Sequence, residues 1–295
     1  MRMHPDVTAF FDEATNTITY LVSDPATQRA AIIDPVLDYD AASGRTGTAN
    51  ADRVVAAVRD QGLTVDWLLE THVHADHLSG APYLKRRLAE LGLGQAKIAI
   101  GEHIRRVQEV FRTLFNAEPS FVTDGRQFDH LFADGERFPI GQLLADVLHT
   151  PGHTPACLTY VVGDAAFVGD TLFMPDFGTA RADFPGGDAA ALYRSIHRIL
   201  ALPGHTRIFT AHDYKAPGRD KYAWESTVAE QRTRNVHVHD GISEADFVAL
   251  RTARDRTLAV PKLLLPSVQV NMRAGQRPPA EDNGVCYLKI PLDTF

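Results

Sequence analysis

Cysteine is scarce in this sequence, with only Cys157 and Cys286 among 295 residues. Two cysteines cannot build the disulfide framework of a small secreted domain, so a reducing cytoplasm is the expected location. The sequence also lacks an apolar run of the ~20 residues that a membrane-spanning helix needs. Its first residues, MRMHPDVTAFFDEATNT, lack the apolar core of a signal peptide.

An excess of basic residues is missing too. The chain has 30 Lys and Arg against 37 Asp and Glu, which gives a net charge of -7 and a pI near 6.0. Proteins that bind nucleic acids usually carry a basic surface, so nucleic acid is not an expected partner. Apolar residues make up 44% of the chain, as in an ordinary globular protein large enough for one or two domains.

Strand-like and helix-like segments are mixed along the chain, which predicts an α/β fold. Residues 17–24 and 30–36 are expected to form paired strands with a turn near Pro25. Residues 65–72 form a third apolar strand pattern, and residues 78–92 show leucines at helical spacing. One compact domain with a C-terminal appendage is the simplest interpretation.

Potential metal ligands are crowded directly after the strand predicted at 65–72, where His72, His74, Asp76 and His77 lie within six positions. Histidines two residues apart in an extended chain point to the same side. A turn after His74 would let Asp76 and His77 face a second point nearby. Such a cluster suits one or two divalent metals with nitrogen and oxygen ligands, whereas a merely histidine-rich loop would not need this position.

The segment THVHADHLSG (71–80) resembles the T-H-x-H-x-D-H motif of the metallo-β-lactamase superfamily. Three later segments resemble that family's other ligand segments in the same order, and they supply His153 (HTPGHTP), Asp170 (FVGDTLF) and His212 (TAHDY). The resemblance covers about residues 10–235. It implies an αββα sandwich with the metal site at one edge of two facing sheets.

The same resemblance divides the chain into a catalytic domain at 1–235 and a C-terminal extension at 236–295 that packs on the same domain. The segments FGTARADFPGG (177–187), VAEQRTRN and LPSVQVNMRAG, and the alanine of HADH, resemble the persulfide dioxygenases of this superfamily. Those enzymes use O2 and one Fe(II) to oxidise glutathione persulfide to sulfite and glutathione.

Carried over by motif, the iron ligands are His72, His153 and Asp170, the two histidines and one carboxylate of a facial triad. The remaining residues of the cluster would then orient these ligands and hydrogen-bond to bound water; they are His74, Asp76, His77 and His212. The alternative is a hydroxyacylglutathione hydrolase that binds two zinc ions with all seven residues and uses a bridging hydroxide as nucleophile. The ligands alone favour neither mechanism.

Four further residues are singled out. Arg181 matches a substrate-binding arginine of the family and is expected to bind a glutathione carboxylate, the alternative being a surface salt bridge. Tyr214 is expected either to face the thiol substrate or to pack in the core. Asp34 would hold a histidine ligand or form a turn before proline. Cys157 is expected to be a buried structural thiol.

The tail is expected to alternate loops with short strands such as SVQVNM (267–272) and VCYLKI (285–290). This pattern counts against the hydrolase, whose family ends in a helical domain with basic glutathione contacts. The second histidine pair, HVHD (237–240), follows a helix and is expected to be a solvated loop. No nucleic-acid or membrane partner is expected, and the sequence is compatible with a homodimer.

Overall fold

The computed structural model describes residues 4–294 and shows fifteen strands and seven helices within that range. The strands are β1 Asp6–Asp12, β2 Thr17–Asp24, β3 Arg29–Ile33, β4 Val36–Asp40, β5 Arg45–Gly47, β6 Thr64–Leu69, β7 Leu78–Ser79, β8 Lys97–Gly101, β9 His130–Phe132, β10 Arg137–Ile140, β11 Leu143–His149, β12 Leu158–Val162, β13 Ala165–Phe167, β14 Arg207–Phe209 and β15 Glu225–Thr227. The helices are α1 Ala49–Asp60, α2 Ala81–Glu90, α3 Ile104–Leu114, α4 Ala189–Leu200, α5 Val228–Arg234, α6 Glu244–Asp255 and α7 Leu264–Asn271.

Two six-stranded sheets form the centre of the molecule. Their strand orders are β1-β2-β3-β6-β8-β9 and β10-β11-β12-β13-β14-β15, and a small third sheet has the order β5-β4-β7. One apolar cluster lies between the two large sheets, and each sheet packs its other face on helices through a further cluster. The predicted αββα sandwich is therefore confirmed.

Alternation along the strands explains this layering, because successive side chains of a strand point to opposite faces. In β2, Tyr20 lies between the sheets while Leu21 faces the helices α1 to α3. In β12, Tyr160 lies between the sheets while Val161 faces the layer that contains Leu192 of α4. Each sheet is thus buried on both faces.

The strand predicted at 65–72 ends earlier, at Leu69. Residues 70–77 leave the sheet as irregular chain before the short strand β7. Leu78 and Ser79 pair with β4, and for this reason α2 begins at Ala81 rather than at residue 78. His72 and His74 still face each other, with ring centroids 4.1 Å apart, although the backbone there is not extended as predicted.

The two strands predicted in the tail are wrong. Residues 264–271 form the helix α7, and the described part of the segment 285–290 contains only an isolated bridge from Cys286 to Ala280. Pro266 lies in the first turn of α7, where a helix tolerates proline, and this signal was available in the sequence. Val268 is buried against the layer of α1 to α3, and this packing outweighs its preference for strands. A helical tail no longer counts against the hydrolase.

The helices beyond residue 235 pack on the preceding part of the chain: α6 contacts α4, and α7 contacts β7. A boundary at residue 235 stays a prediction. Residues 1–3 of the predicted catalytic domain and residue 295 of the predicted extension lie outside the described residues. A search of the described helices finds no segment with the length and hydropathy of a membrane span.

The contribution of α6 to the fold is testable at Phe247, which is fully buried in the layer beside α4. Phe247→Ala should lower the free energy of unfolding by about 3–5 kcal/mol, because it leaves a cavity between packed elements. Leu250→Ala, on the same helix at 39% exposure, should change it by less than about 0.5 kcal/mol. Urea denaturation followed by circular dichroism measures both values, and equal effects would contradict this packing.

Candidate metal centre

All seven predicted metal-site residues meet at one edge of the sandwich. The possible ligand atoms of His72, His153 and Asp170 lie within 4.8 Å of one another, and so do those of His74, Asp76 and His77. His212 connects the two groups, since its Nε2 lies 3.3 Å from Asp170 Oδ1 and 3.5 Å from Asp76 Oδ2. The structure thus places one three-residue group beside a second one.

The donor atoms of this cluster fit a divalent cation. Several of its buried polar atoms have no hydrogen-bond partner among residues 4–294, and these include His72 Nε2, His74 Nδ1, His77 Nε2, His212 Nε2 and Asp170 Oδ1. Leaving so many buried polar atoms unpaired would be costly, because each has lost its hydration. Imidazole nitrogen and carboxylate oxygen are ligands that zinc and iron accept. A metal bound here would satisfy these atoms.

In three of these histidines, Nδ1 is hydrogen-bonded to a backbone carbonyl, and this bond orients the free Nε2. His153 Nδ1 donates to the carbonyl of Arg181 at 2.8 Å, and His212 Nδ1 donates to the carbonyl of Asn16 at 3.1 Å. His77 Nδ1 donates in the same way to the carbonyl of Leu78 at 3.0 Å. Such bonds fix the tautomer and leave a lone pair on Nε2.

Asp34 positions His74 directly and His72 through Thr71. Its carboxylate accepts bonds from the Thr71 hydroxyl at 2.8 Å and from His74 Nε2 at 3.0 Å. Because the Thr71 hydroxyl donates to Asp34, it can accept the proton of His72 Nδ1, which lies 3.0 Å away. Asp34 also has a left-handed φ of 50° and precedes Pro35, so both predictions for it, histidine support and turn, are confirmed.

The ends of neighbouring strands bring these residues together. Asp34 follows β3, Thr71 follows β6, and Asp170 and His212 follow the parallel strands β13 and β14. Gly169 allows the turn before Asp170, because it has a φ of +52° and a Cβ there would lie 2.6 Å from Thr71 Oγ1. The carboxyl ends of parallel strands are the usual place for a site.

The charges of the cluster favour a cation. Burial lowers the pKa of His72 well below its usual value and lowers that of His77 to about 4. Burial opposes ionisation of Asp76, but His212, His77 and His74 lower its pKa to about 2. Burial lowers the pKa of His74, but Asp34 and Glu70 raise it well above its usual value. The Asp76 carboxylate therefore stays ionised and draws positive charge into the site.

A cavity of about 350 Å³ opens onto this cluster, with Asp76, His153 and Asp170 among its lining residues. Phe173, Phe177, Phe184 and Tyr214 form aromatic walls, and the Tyr214 ring stacks on His212 at 5.5 Å. Burial, followed by the charges of Asp170 and Asp76, raises the pKa of Tyr214 well above 10, so its hydroxyl stays protonated. Tyr214 therefore lies between the cavity and the metal cluster.

Arg181 also lines this cavity, but its guanidinium is already paired. Its Nε and Nη2 donate to Asp183 at 2.6 and 2.7 Å, and Nη1 donates to the carbonyl of Ala259 at 2.7 Å. The role predicted for Arg181 in substrate binding stays a prediction.

Cys157 is buried with a pKa raised to about 12 by burial, as expected for a structural thiol.

The loop at 177–187 depends on residues that the sequence did not single out. Asp255 Oδ2 accepts from the Ala182 amide at 2.9 Å, and the same peptide unit offers the Arg181 carbonyl to His153. His237 accepts from the Thr179 amide at 3.1 Å and is only 7% exposed, so the solvated loop predicted at 237–240 is wrong for His237. No spacing in the sequence links these residues to the loop.

Asn271 of α7 fixes the histidine segment itself. Its Nδ2 donates to the carbonyls of His74 and His77 at 2.9 and 2.7 Å, and its Oδ1 accepts from the Ser79 amide at 2.8 Å. Asn271 is 5% exposed, so these bonds lie away from water. The segment that was predicted as a strand therefore supports the metal cluster.

Comparison with known proteins agrees with this geometry. The family model of the metallo-beta-lactamase superfamily matches residues 14–212, which include the whole histidine cluster. This chain belongs to the metallo-beta-lactamase superfamily. It is accordingly an enzyme of the metallo-hydrolase superfamily with a group of residues that could bind a metal.

Several relatives within the superfamily are similar over nearly the whole chain. A probable metallo-hydrolase of Burkholderia pseudomallei is 58% identical over 98% of this chain and 99% of its own. Glyoxylase B2 of Dictyostelium discoideum is 50% identical over 92% of each chain. The mitochondrial persulfide dioxygenase ETHE1 of Bos taurus is 32% identical over 92% of this chain and 89% of its own.

The solved structure of ETHE1 from Myxococcus xanthus has a TM-score of 0.71 and 30% identity, covering 92% of this chain and 100% of that one. Some relatives are longer: the chain spans 65% of a beta-lactamase hydrolase-like protein of Xylella fastidiosa, at 55% identity. These names include both a glyoxylase and a persulfide dioxygenase, so they leave both predicted activities open.

The Thr71 hydroxyl bridges Asp34 and His72. Thr71→Val removes this hydroxyl and therefore tests the bridge. We expect metal affinity to fall roughly tenfold to hundredfold, because His72 loses the bond that orients it. Thr159→Val is the control, since among residues 4–294 its buried hydroxyl bonds only to Thr150. Competition with a chelator measures affinity, and equal values for the two variants would contradict the bridge.

The buried His237 should make stability depend on pH. Burial, with Arg251 and Arg254, lowers its pKa from 6.5 to about 4. Between these values the unfolded state binds a proton that the folded state does not, so stability falls as the pH falls. His237→Gln should lessen this fall by on the order of 2 kcal/mol.

Chemical denaturation at pH 7 and pH 4.5 measures the difference between the two proteins. His239→Gln is the control, because His239 is exposed two residues further along. An unchanged pH dependence in His237→Gln would show that His237 does not contribute it.

Proposed function

We propose that this protein is a mononuclear Fe(II) persulfide dioxygenase that uses O2 to oxidise glutathione persulfide to sulfite and glutathione. The observation that carries the proposal is the group formed by His72, His153 and Asp170, whose ligand atoms lie within 4.8 Å of one another. Two histidines and one carboxylate are the donor set of non-haem Fe(II) oxygenases, which leaves positions open for O2 and substrate.

Bound Fe(II) would activate O2 for reaction with the outer sulfur of the persulfide, and that sulfur would supply the four electrons that reduce O2. The protein's own residues would orient the reactants. The Arg181 carbonyl and Thr71 hydroxyl hold the rings of His153 and His72 in their tautomers. The protonated Tyr214 hydroxyl is available to donate to the persulfide in the cavity. Phe173 and Phe177 would form an apolar wall beside the persulfide, and water, which must supply the third oxygen of sulfite, would enter from the open side of the cavity.

Relatives support this proposal over most of the chain. The persulfide dioxygenase ETHE1 of Bos taurus is similar over 92% of the chain, and the ETHE1 structure from Myxococcus xanthus shares its fold with a TM-score of 0.71. Both comparisons reach beyond residue 212, where the family match ends, and therefore include much of the tail.

A second candidate is a dizinc hydrolase of glutathione thioesters. The specific observation in its favour is the second group, His74, Asp76 and His77, whose ligand atoms also lie within 4.8 Å of one another. Asp170 and His212 lie beside this group and could help to hold a second ion, and two ions together would supply an activated water for hydrolysis. The helical tail and the 50% identity with Glyoxylase B2 agree with this reading.

Asp76→Asn separates the two activities, because only a dinuclear enzyme needs this carboxylate as a metal ligand. In a dioxygenase the variant should keep one iron and produce sulfite with a roughly tenfold to hundredfold lower rate. In a hydrolase it should bind one metal instead of two and lose nearly all thioester cleavage. The measurements are iron and zinc content, O2 uptake with glutathione persulfide, and hydrolysis of a glutathione thioester.

Asp60→Asn, at an exposed position on α1, is the control and should behave as the wild type. Wild-type protein purified without O2 provides the reference for metal content. Two zinc ions per active chain, no sulfite, and a thioesterase activity that Asp76→Asn abolishes would together overturn the dioxygenase proposal.

A further inference from the structure

Three arginines line the cavity above the metal cluster: Arg181, Arg251 and Arg254. They differ in what already compensates their charge. Two of the three are paired with carboxylates of the protein, and the third is not. This difference identifies the group that remains available to a substrate.

Arg181 and Arg251 are used by the fold. Arg181 donates to Asp183 through two nitrogens and to the carbonyl of Ala259 through the third. Arg251 is 1% exposed and donates to Asp255 at 2.8 Å. Arg251 is buried and would carry an uncompensated charge without its carboxylate, so its pair with Asp255 is structural. Arg181 is only partly buried, but Asp183 and Ala259 occupy its donors.

Arg254 is the exception. It lies on the last turn of α6, is exposed to solvent, and its Cζ is 5.9 Å from the centre of the Phe177 ring. Within residues 4–294, no Asp or Glu side chain forms an ion pair with it, and its guanidinium makes no hydrogen bond. The aromatic face places the cation at the cavity wall without using its fork of N–H donors.

Negative charge therefore lies at the floor of the cavity, and positive charge lies at its wall. Asp76 and Asp170 lie at the floor within the metal cluster, and Arg254 carries the one uncompensated positive charge among the described residues that line the cavity. A thiol or persulfide that reaches the floor through aromatic walls would present any distal carboxylate to this arginine. A planar guanidinium binds a carboxylate through two parallel hydrogen bonds.

We propose that Arg254, unpaired on α6 at the wall of the metal-site cavity, binds a carboxylate of the substrate and so selects anionic thiol derivatives such as those of glutathione. This inference rests on the proposed function, because it takes the cavity as the substrate site. It assigns substrate recognition to α6, which lies beyond the residues that match the superfamily, and leaves Arg181 to hold the loop at 177–187.

The test measures binding rather than turnover, on metal-loaded protein by titration calorimetry. The ligands are S-methylglutathione and its dimethyl ester, which lacks both free carboxylates. Arg254→Gln should weaken binding of S-methylglutathione tenfold to hundredfold, as expected for the loss of a charge-assisted bond of roughly 1.5–3 kcal/mol. Arg254→Lys should recover part of the loss, because it restores the charge without the fork.

Arg256→Gln is the matched control, since Arg256 is exposed two residues further on and does not line the cavity. The ester should bind wild type and Arg254→Gln equally. The inference is overturned if the wild type does not prefer S-methylglutathione to the ester, or if Arg254→Gln binds it as the wild type does. It is also overturned if Arg254→Gln weakens both ligands equally, because the effect is then not on a carboxylate.

The result of this binding test does not depend on which reaction the protein catalyses. If the protein makes no sulfite but Arg254→Gln still loses S-methylglutathione, the dioxygenase proposal fails and the carboxylate site stands. If the protein makes sulfite but Arg254→Gln binds normally, the function stands and this inference fails.

Discussion

The metal centre depends on one buried carboxylate, that of Asp34. It lies at the end of β3 in a left-handed conformation, and it accepts the Thr71 amide at 2.7 Å, the Thr71 hydroxyl and His74. Burial opposes its ionisation, but the bonds to His74 and Thr71 keep its pKa below the usual value. A buried charge is stable only when it is fully hydrogen-bonded, so the surrounding segment is restricted to one arrangement.

The rest of the cluster is fixed by chain segments that are remote in sequence. Asn16, next to β2, orients His212, and Asn271 holds the backbone of the histidine segment. Asp255 holds the peptide whose carbonyl orients His153. Helices beyond the superfamily match therefore support ligands within it, which explains why the tail is packed rather than extended.

Both proposed mechanisms would use imidazole and carboxylate groups at the same edge of the sheets. The first group of ligands suffices for one iron, and adding the second group suffices for two zinc ions. The cavity is distinct from the metal cluster, since aromatic side chains and Arg254 form its walls. Metal number and substrate recognition can therefore be tested independently.

The sequence by itself determined an α/β fold and the crowding of His72, His74, Asp76 and His77, because strand and helix patterns and this histidine motif are local signals. Its resemblance to the superfamily implied the αββα layers and added His153, Asp170 and His212. Only the tertiary structure decided that residues 264–271 are helical and that His237 is buried, since both follow from contacts with distant segments. It also decided which arginine is unpaired. Arg181 stands in the matching loop, yet Asp183 and Ala259 occupy its donors, whereas Arg254 reaches the cavity from a helix that no motif marks.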